Sequence, residues 1–531
     1  MASDQQNPTR SLPASLHVYL AKKVECLKIV QNKGNKYINT LLAFDALLQT
    51  VFHQKHNTPQ QPAQHNLVCN DTASVDTNKA VTVVGSQKDI VSKVITRDCI
   101  IKTINPELLE QLVIATHNAR PLYKGTNTRI RNWHLGEIVG LVELLVWDFQ
   151  TASRTLPPCM EVRSAHVEEI ITFQDGGCSC LHIFYPPALL INDVSQNKLR
   201  QFPILLISPS LTSTHASYYK LIQHYVVGKQ WTVVVTNRRG LCCTLRTPLF
   251  CVMGDDEDMC AMLRRIQELP LLKGRTIFGL GVSVGGNALS RYCAKYTSGS
   301  ETDKIAAIAT ISSPFNLSDL NCKSGAIQYE LLDSLKKIFL KGKNQSVFDA
   351  STTDVQSIYR RLLRCQSLAQ FAYQQLQFRY ELGPNGDAFV PLTEMGNVSL
   401  DETVSVVGTN AIAKKSQPIL KHASTQSYKY KDPTSMSLWD YYNTYNADKY
   451  FHTLQIPLIC IIAADDPLIR HSVDTRANLF SCNNVGWIQT EAGSHVLFQD
   501  DLLKTNTDLT WAECFIETYF DKLLTKIVHS T

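Results

Sequence analysis

Three residue types that nucleophilic ester chemistry requires occur in the chain at informative positions. Ser283 lies in the run GVSVGG, between the apolar stretch Arg275-TIFGLG and the helix-patterned Asn287-ALSRYCAKY. A Gly-x-Ser-x-Gly turn between a strand and a helix forces a sharp bend that pushes the serine hydroxyl out of the top of a sheet. Taken alone, the run reads equally well as a small residue in a tight glycine turn. Its partners therefore decide the matter.

A serine nucleophile on such a turn needs an acid after one late strand and a histidine in the loop after the last. The run Ile456-PLICIIAADDPLI ends in Asp465-Asp466-Pro467, and Val485-GWIQTEAGSHVLF sets His495 among small residues. Asp466, adjacent to Pro467, is the preferred acid, with Asp465 the alternative. His495 would take the Ser283 proton, and the acid would fix its tautomer. Any one of 15 histidines is usually structural, and an Asp-Asp-Pro run is usually a solvated turn. The joint order, after the right strands, carries the argument.

The elements that must position these residues are legible as apolar runs. Eight strands are predicted, starting at Glu169, Leu181, Pro203, Thr232, Thr276, Ile305, Pro457 and Val485, with helical patterns between them. The later runs are continuously apolar, which suits parallel strands covered on both faces, while Asp175-Gly-Gly177 marks a hairpin. The fold class is α/β, a doubly wound, mostly parallel eight-stranded sheet flanked by helices. Residues 161–316 and 439–531 form its two halves. Residues 317–438 read as a helical cap, with a polar flexible insertion around 383–434. Residues 1–160 read as a helical extension, with a polar stretch near His53 to Ser92 that lacks core-forming residues.

With 531 residues, 44% of them hydrophobic, the chain can bury a large core. The 52 basic and 47 acidic residues form no basic block, so nucleic acid is not an expected partner. Sixteen cysteines are scattered, and the nearest sets, Cys178-Ser-Cys180 and Cys242-Cys243, match neither zinc spacing nor a CxxC pair. Reduced thiols, an intracellular location and accidental sequons at Asn70, Asn316, Asn344 and Asn397 are expected. No metal or organic cofactor is expected. Two apolar segments, at Tyr37 and Ile138, carry Asp45 and Glu143 and are short for a membrane span. They read as amphipathic helices on the core, with peripheral contact to a membrane surface as the alternative.

Taken together, several motifs resemble the abhydrolase-domain proteins of AB hydrolase family four. These are Glu169-IITFQDGG, Ser208-Pro-Ser-Leu-Thr, Thr236-NRRGL with Arg246-TP, Gly254-DDEDMCAML, the GVSVGGN elbow, Ser312-SPFNL, Tyr441-YNTYNADKYFHTLQIPL, Ala463-ADDPL and Gly493-SHVLF. The resemblance spans about Val167 to Phe520. It implies the α/β-hydrolase fold, a catalytic set of Ser283, Asp466 and His495, and an oxyanion hole made by the backbone N–H groups of Val284 and Leu211. The family usually carries glycine where this chain has Ser210, so one oxyanion donor is open to displacement. Many animal relatives also have an N-terminal membrane anchor, which is not seen before Val167.

The expected activity is hydrolysis of medium- or long-chain acyl esters, acylglycerol or phospholipid, through an acyl-enzyme. The alternatives are an acyltransferase using the same residues with an alcohol acceptor, and a lipid- or partner-binding descendant. The Asn237-Arg-Arg-Gly240 stretch is expected to be structural, with Arg238 or Arg239 pairing to a carboxylate such as Asp258.

Overall fold

Alternation along each central strand explains why the sheet is covered on both sides. In β5 (Ile204–Ser208), Leu205 and Ile207 face one buried layer while Ile204 and Leu206 face the other. β6 (Thr232–Thr236) repeats the pattern, with Val233 and Val235 on the first layer and Val234 on the second. Side chains that are apolar at every position need two covering layers, and helices supply them.

The structure, a computed structural model, describes residues 92–95, 99–118, 165–191, 202–296, 305–381 and 445–530, apart from a few positions within the last three spans. The polar stretch from His53 to Ser92, the Tyr37 and Ile138 segments and the 383–434 insertion lie outside these residues, save Ser92 itself.

The remaining strands are β1 (Ser92–Ile95), β2 (Cys99–Thr103), β3 (Ala165–Thr172), β4 (Cys178–Tyr185), β7 (Ile277–Val282), β8 (Ile305–Ile311), β9 (Leu458–Ala463) and β10 (Val485–Thr490). They join one ten-stranded sheet in the order β1-β2-β10-β9-β8-β7-β5-β6-β4-β3. β6, β5, β7, β8, β9 and β10 run parallel, and the expected β3–β4 hairpin is present. All eight predicted strands form.

Two further strands come from the stretch before residue 160. β2 pairs antiparallel with β10, setting Ile101 opposite Ile488, both fully buried. Their helix α1 (Pro106–Asn118) lays Leu108, Leu112 and Ala115 into the same layer as the C-terminal helix. Leu112 would collide with a side chain at Gly486, so the close packing of α1 on β10 depends on that glycine.

The longer helices that follow are α2 (Glu257–Glu268), α3 (Val284–Tyr296), α4 (Gly325–Leu335), α5 (Thr353–Arg364), α6 (Leu368–Glu381), α7 (Val473–Phe480) and α8 (Trp511–Ser530). α1 and α8 cover one face, and α2, α3 and α7 the other. α4, α5 and α6 form a separate apolar cluster. It packs on Leu211, Leu241, Leu245, Leu249 and Phe250, in loops that follow the C-terminal ends of β5 and β6. Asn344 pins it there, accepting from Leu245 N–H at 3.0 Å and donating to Gly240 O at 2.9 Å. With its amide engaged and fully buried, the Asn344 sequon is structural.

Arg239 holds Asp258. Nε and Nη2 donate to the two Asp258 oxygens at 2.7 and 2.5 Å, and Nη1 donates to Asp175 at 2.6 Å. The guanidinium also lies 4.1 Å from the Phe173 ring centroid. Gly177 leaves space for it, since a Cβ there would stand 2.5 Å from Nη1. Replacing Arg239 with Met strands two inward carboxylates, and a loss of about 3–5 kcal/mol is expected in urea unfolding. A loss below about 1 kcal/mol would assign the network no structural weight.

Candidate active site

The turn after β7 holds Ser283 at φ 52°, a left-handed conformation that costs a non-glycine residue on the order of 1 kcal/mol. The surroundings enforce it. Ser283 N–H donates to Ile311 O at 2.8 Å, and α3 begins immediately at Val284. Any Cβ at Gly281 would strike Gly286, and one at Gly285 would strike the carbonyls of Ser208 and Pro209. The elbow is therefore wedged between β5 and β8 with no room to relax.

β9 and β10 deliver the other two groups from their C-terminal ends. His495 Nε2 lies 2.9 Å from Ser283 Oγ, and its Nδ1 lies 2.9 Å from Asp466 Oδ2 and 3.2 Å from Oδ1. The three side chains come from positions 212 and 29 residues apart and are all buried. Asp466 is oriented in turn, because its Oδ1 accepts the N–H groups of Leu468 at 2.8 Å and Ile469 at 3.1 Å. A carboxylate fixed by backbone donors, an imidazole bridging it to a hydroxyl, and a hydroxyl on a strained elbow have the geometry that a proton relay requires.

A family model described as alpha/beta hydrolase fold matches residues 203–502, more than half of the 531. The chain belongs to the alpha/beta hydrolase fold family. A comparison with curated proteins found none that matches. Similar solved structures include an esterase of Pyrococcus furiosus, 12% identical with a TM-score of 0.34, covering 68% of this chain and 92% of that one. The esterase domain of a Rhodothermus marinus protein is 11% identical with a TM-score of 0.32, covering 68% and 99%. A monoacylglycerol lipase of Paleococcus ferrophilus is 14% identical with a TM-score of 0.30, covering 61% and 96%.

The two residues expected to form the oxyanion hole border one apolar cluster. Val284 is the first residue of α3, where an amide N–H has no partner within the helix and the helix dipole favours negative charge. Leu211 packs in the same apolar cluster as Val284. Ser210 has its N–H and hydroxyl engaged: the N–H donates to Tyr218 Oη at 3.1 Å and Oγ lies 2.7 Å from Ser213 Oγ. Burial pushes the Tyr218 phenol up to about 12, so it stays protonated as a neutral member of this network.

Asp465 has a role that sequence reasoning missed. Its Oδ1 accepts the N–H of Ser494 at 2.9 Å and so fixes the loop that carries His495. That loop is itself strained, with Ser494 at φ 49° and Gly493 at φ 156°. A Cβ at Gly493 would stand 2.7 Å from the Phe498 ring, so the position admits only glycine. The adjacent acids thus divide the work between the histidine ring and the histidine backbone. The pair Asp-Asp in sequence gives no hint of that division.

Burial, ahead of all other causes, lifts the Asp465 carboxyl from 3.8 to about 6. A raised acid favours the folded state only while protonated. Its contribution is complete below about 3.8 and is lost as pH rises through about 6. Asp465→Asn keeps the acceptor and removes the buried charge. Its thermal stability at pH 7.5 is expected to match or exceed the parent's, with a flatter profile between pH 4 and 6. A variant that melts well below the parent at pH 7.5 but matches it at pH 4, where the parent's carboxyl is already neutral, would show that Asp465 acts through its charge instead.

Among the described residues, no helix is long and apolar enough to cross a membrane.

Proposed function

We propose that the chain is a serine hydrolase that cleaves carboxylic esters of medium- or long-chain acyl lipids, of the kind resembled by AB hydrolase family four. The observation that carries this reading is the 2.9 Å contact on each side of the His495 ring. Ser283 Oγ bonds to the ester carbonyl carbon while its proton passes to His495 Nε2, and Asp466 stabilises the imidazolium. The carbonyl oxygen gains the displaced electron pair and is held by the N–H groups of Val284 and Leu211. Collapse breaks the ester C–O bond, and the leaving alkoxide takes the proton from His495. Water, deprotonated by the same imidazole, then releases the acid and restores Ser283.

The apolar character of the wall beside Ser283 supports an acyl-chain substrate. Val284 packs with Met253, Leu317, Ala372 and Tyr445, and Ala372 belongs to α6 of the cap cluster's helices. Ser283 and His495 are each only 7% exposed, so a substrate must part this cover or enter beneath it. An acyl chain in such a wall gains about 0.8 kcal/mol per buried methylene, roughly fourfold in kcat/KM.

The test is a series of esters of rising acyl length, followed by mono- and diacylglycerols and phospholipids, with products separated in water and in added alcohol. The reading expects kcat/KM to climb from acetate to octanoate or beyond, with free acid as product. A new ester in place of the acid would convert the reading to acyl transfer. Activity confined to acetate would remove lipid substrates, and folded protein inert to every ester would leave only lipid or partner binding.

A further inference from the structure

Away from Ser283, one cluster of side chains has chemistry that ester cleavage does not use. Strand alternation sets Cys178, Cys180 and His182 of β4 on one face of the sheet. The turn after β6 brings Cys242 and Cys243 against them, and the loop after β5 brings His215. Cys178 Sγ and Cys243 Sγ are 3.8 Å apart, and Cys242 Sγ lies 3.7 Å from His215 Nδ1. The His215 ring stacks on His182 with centroids 3.7 Å apart. Ligand atoms of Cys180, His182 and Cys242 all lie within 4.8 Å of one another.

The decisive detail is His182. The residue is 4% exposed, and its Nε2 has no hydrogen-bond partner. Its other nitrogen, Nδ1, lies 2.8 Å from His166 Nε2. A buried polar atom left unpaired costs about 1–3 kcal/mol, so a protein that keeps one has a use for it. With the Nδ1 proton donated to His166, Nε2 carries a free lone pair. This is the arrangement of a metal-ligating imidazole, whose second nitrogen is oriented by a fixed acceptor.

We propose that Cys180, His182 and Cys242 bind a soft divalent cation of the zinc class. Two sulfurs and an imidazole suit such an ion, whereas Mg2+ and Ca2+ favour oxygen. Tetrahedral bonds of about 2.3 Å to sulfur and about 2.0 Å to nitrogen place ligand atoms roughly 3.5–3.8 Å apart, so a closure of at most about 1.3 Å brings the three together on one ion. Each thiol exchanges its proton for a metal–sulfur bond and releases it to solvent, so affinity falls as pH is lowered. Cys242 is half-buried and is the most exposed of the three ligands.

The expected consequence is a clamp on the loop that carries Leu211. Asn237 accepts the His215 N–H at 3.1 Å through its side chain, and its own N–H donates to Cys180 O at 3.2 Å. An ion at Cys180 and Cys242 therefore ties β4, the turn after β6 and the loop after β5 into one unit. The site needs no catalytic role for Ser283. Spacing rules miss it because its ligands belong to two separate segments, with only Cys180 and His182 at strand period.

Cobalt titration of the full chain, stripped with chelator and held with all thiols reduced by a phosphine, tests this. The expected result is a single equivalent of tetrahedral cobalt with a thiolate charge-transfer band, displaced by zinc, and a higher melting temperature with metal. Cys242→Ser, at a half-buried position where folding is easily checked by circular dichroism, is expected to weaken binding by about 100-fold. Cys260→Ser, a control at another half-buried cysteine, is expected to leave it unchanged. Absence of the thiolate band in folded, reduced parent overturns the proposal, as does equal affinity in the parent and Cys242→Ser.

Discussion

Ser283→Ala is expected to lower kcat on the best acyl ester by about a million-fold while leaving the fold intact, because among the described residues no other hydroxyl is placed against His495 Nε2. The size follows from the chemistry. Without the nucleophile there is no acyl-enzyme, and only the oxyanion donors and binding remain, worth roughly 1,000–10,000-fold over water. Stability should change little, since alanine keeps the same Cβ in the φ 52° elbow and forfeits only a single hydrogen bond, about 1 kcal/mol. His495→Ala is expected to match it in kcat, and the double variant to be no worse than either single one, since the two act as a unit. Measured kcat values that add instead of saturating would mean that Ser283 and His495 serve different steps.

Asp466→Asn carries the second large effect, about 10,000-fold in kcat with KM nearly unchanged. An amide at this position still accepts from Leu468 and Ile469, so the turn holds. Its NH2 group, however, turns the His495 Nδ1 contact from an accepted proton into a donated one, which leaves the wrong tautomer facing Ser283. The neighbouring Asp465→Asn is the internal control: it touches the Ser494 backbone, not the ring, and should lose less than about tenfold. Equal losses in the two variants would contradict the division of labour between them.

How much of this was legible beforehand depends on how local the signal is. Each central strand announces itself as an unbroken apolar run, because both of its faces are covered, and all eight formed where those runs lie. Ser283, Asp466 and His495 were legible through their order after successive strands, which topology converts into proximity. Cys99-Ile-Ile-Lys-Thr was not legible as a strand. Its five residues pair with the short β1 on one side and with β10, nearly 390 residues away, on the other, and that second contact lies outside any window of sequence. The same holds for Asn344, whose amide serves Gly240 and Leu245 across about a hundred positions. Ser210 illustrates a different limit: as a departure from a family pattern it reads as a defect, yet Tyr218 and Ser213 absorb both its polar groups.

The most direct test of the central claim is labelling of the purified, folded protein with a fluorophosphonate, which bonds covalently only to a serine oxygen activated by a neighbouring base. The account predicts rapid stoichiometric modification at Ser283 in the parent and in Asp465→Asn, strong slowing in Asp466→Asn, and none in Ser283→Ala or His495→Ala. Folded parent that remains unmodified, or that is modified at a serine other than Ser283, would contradict it.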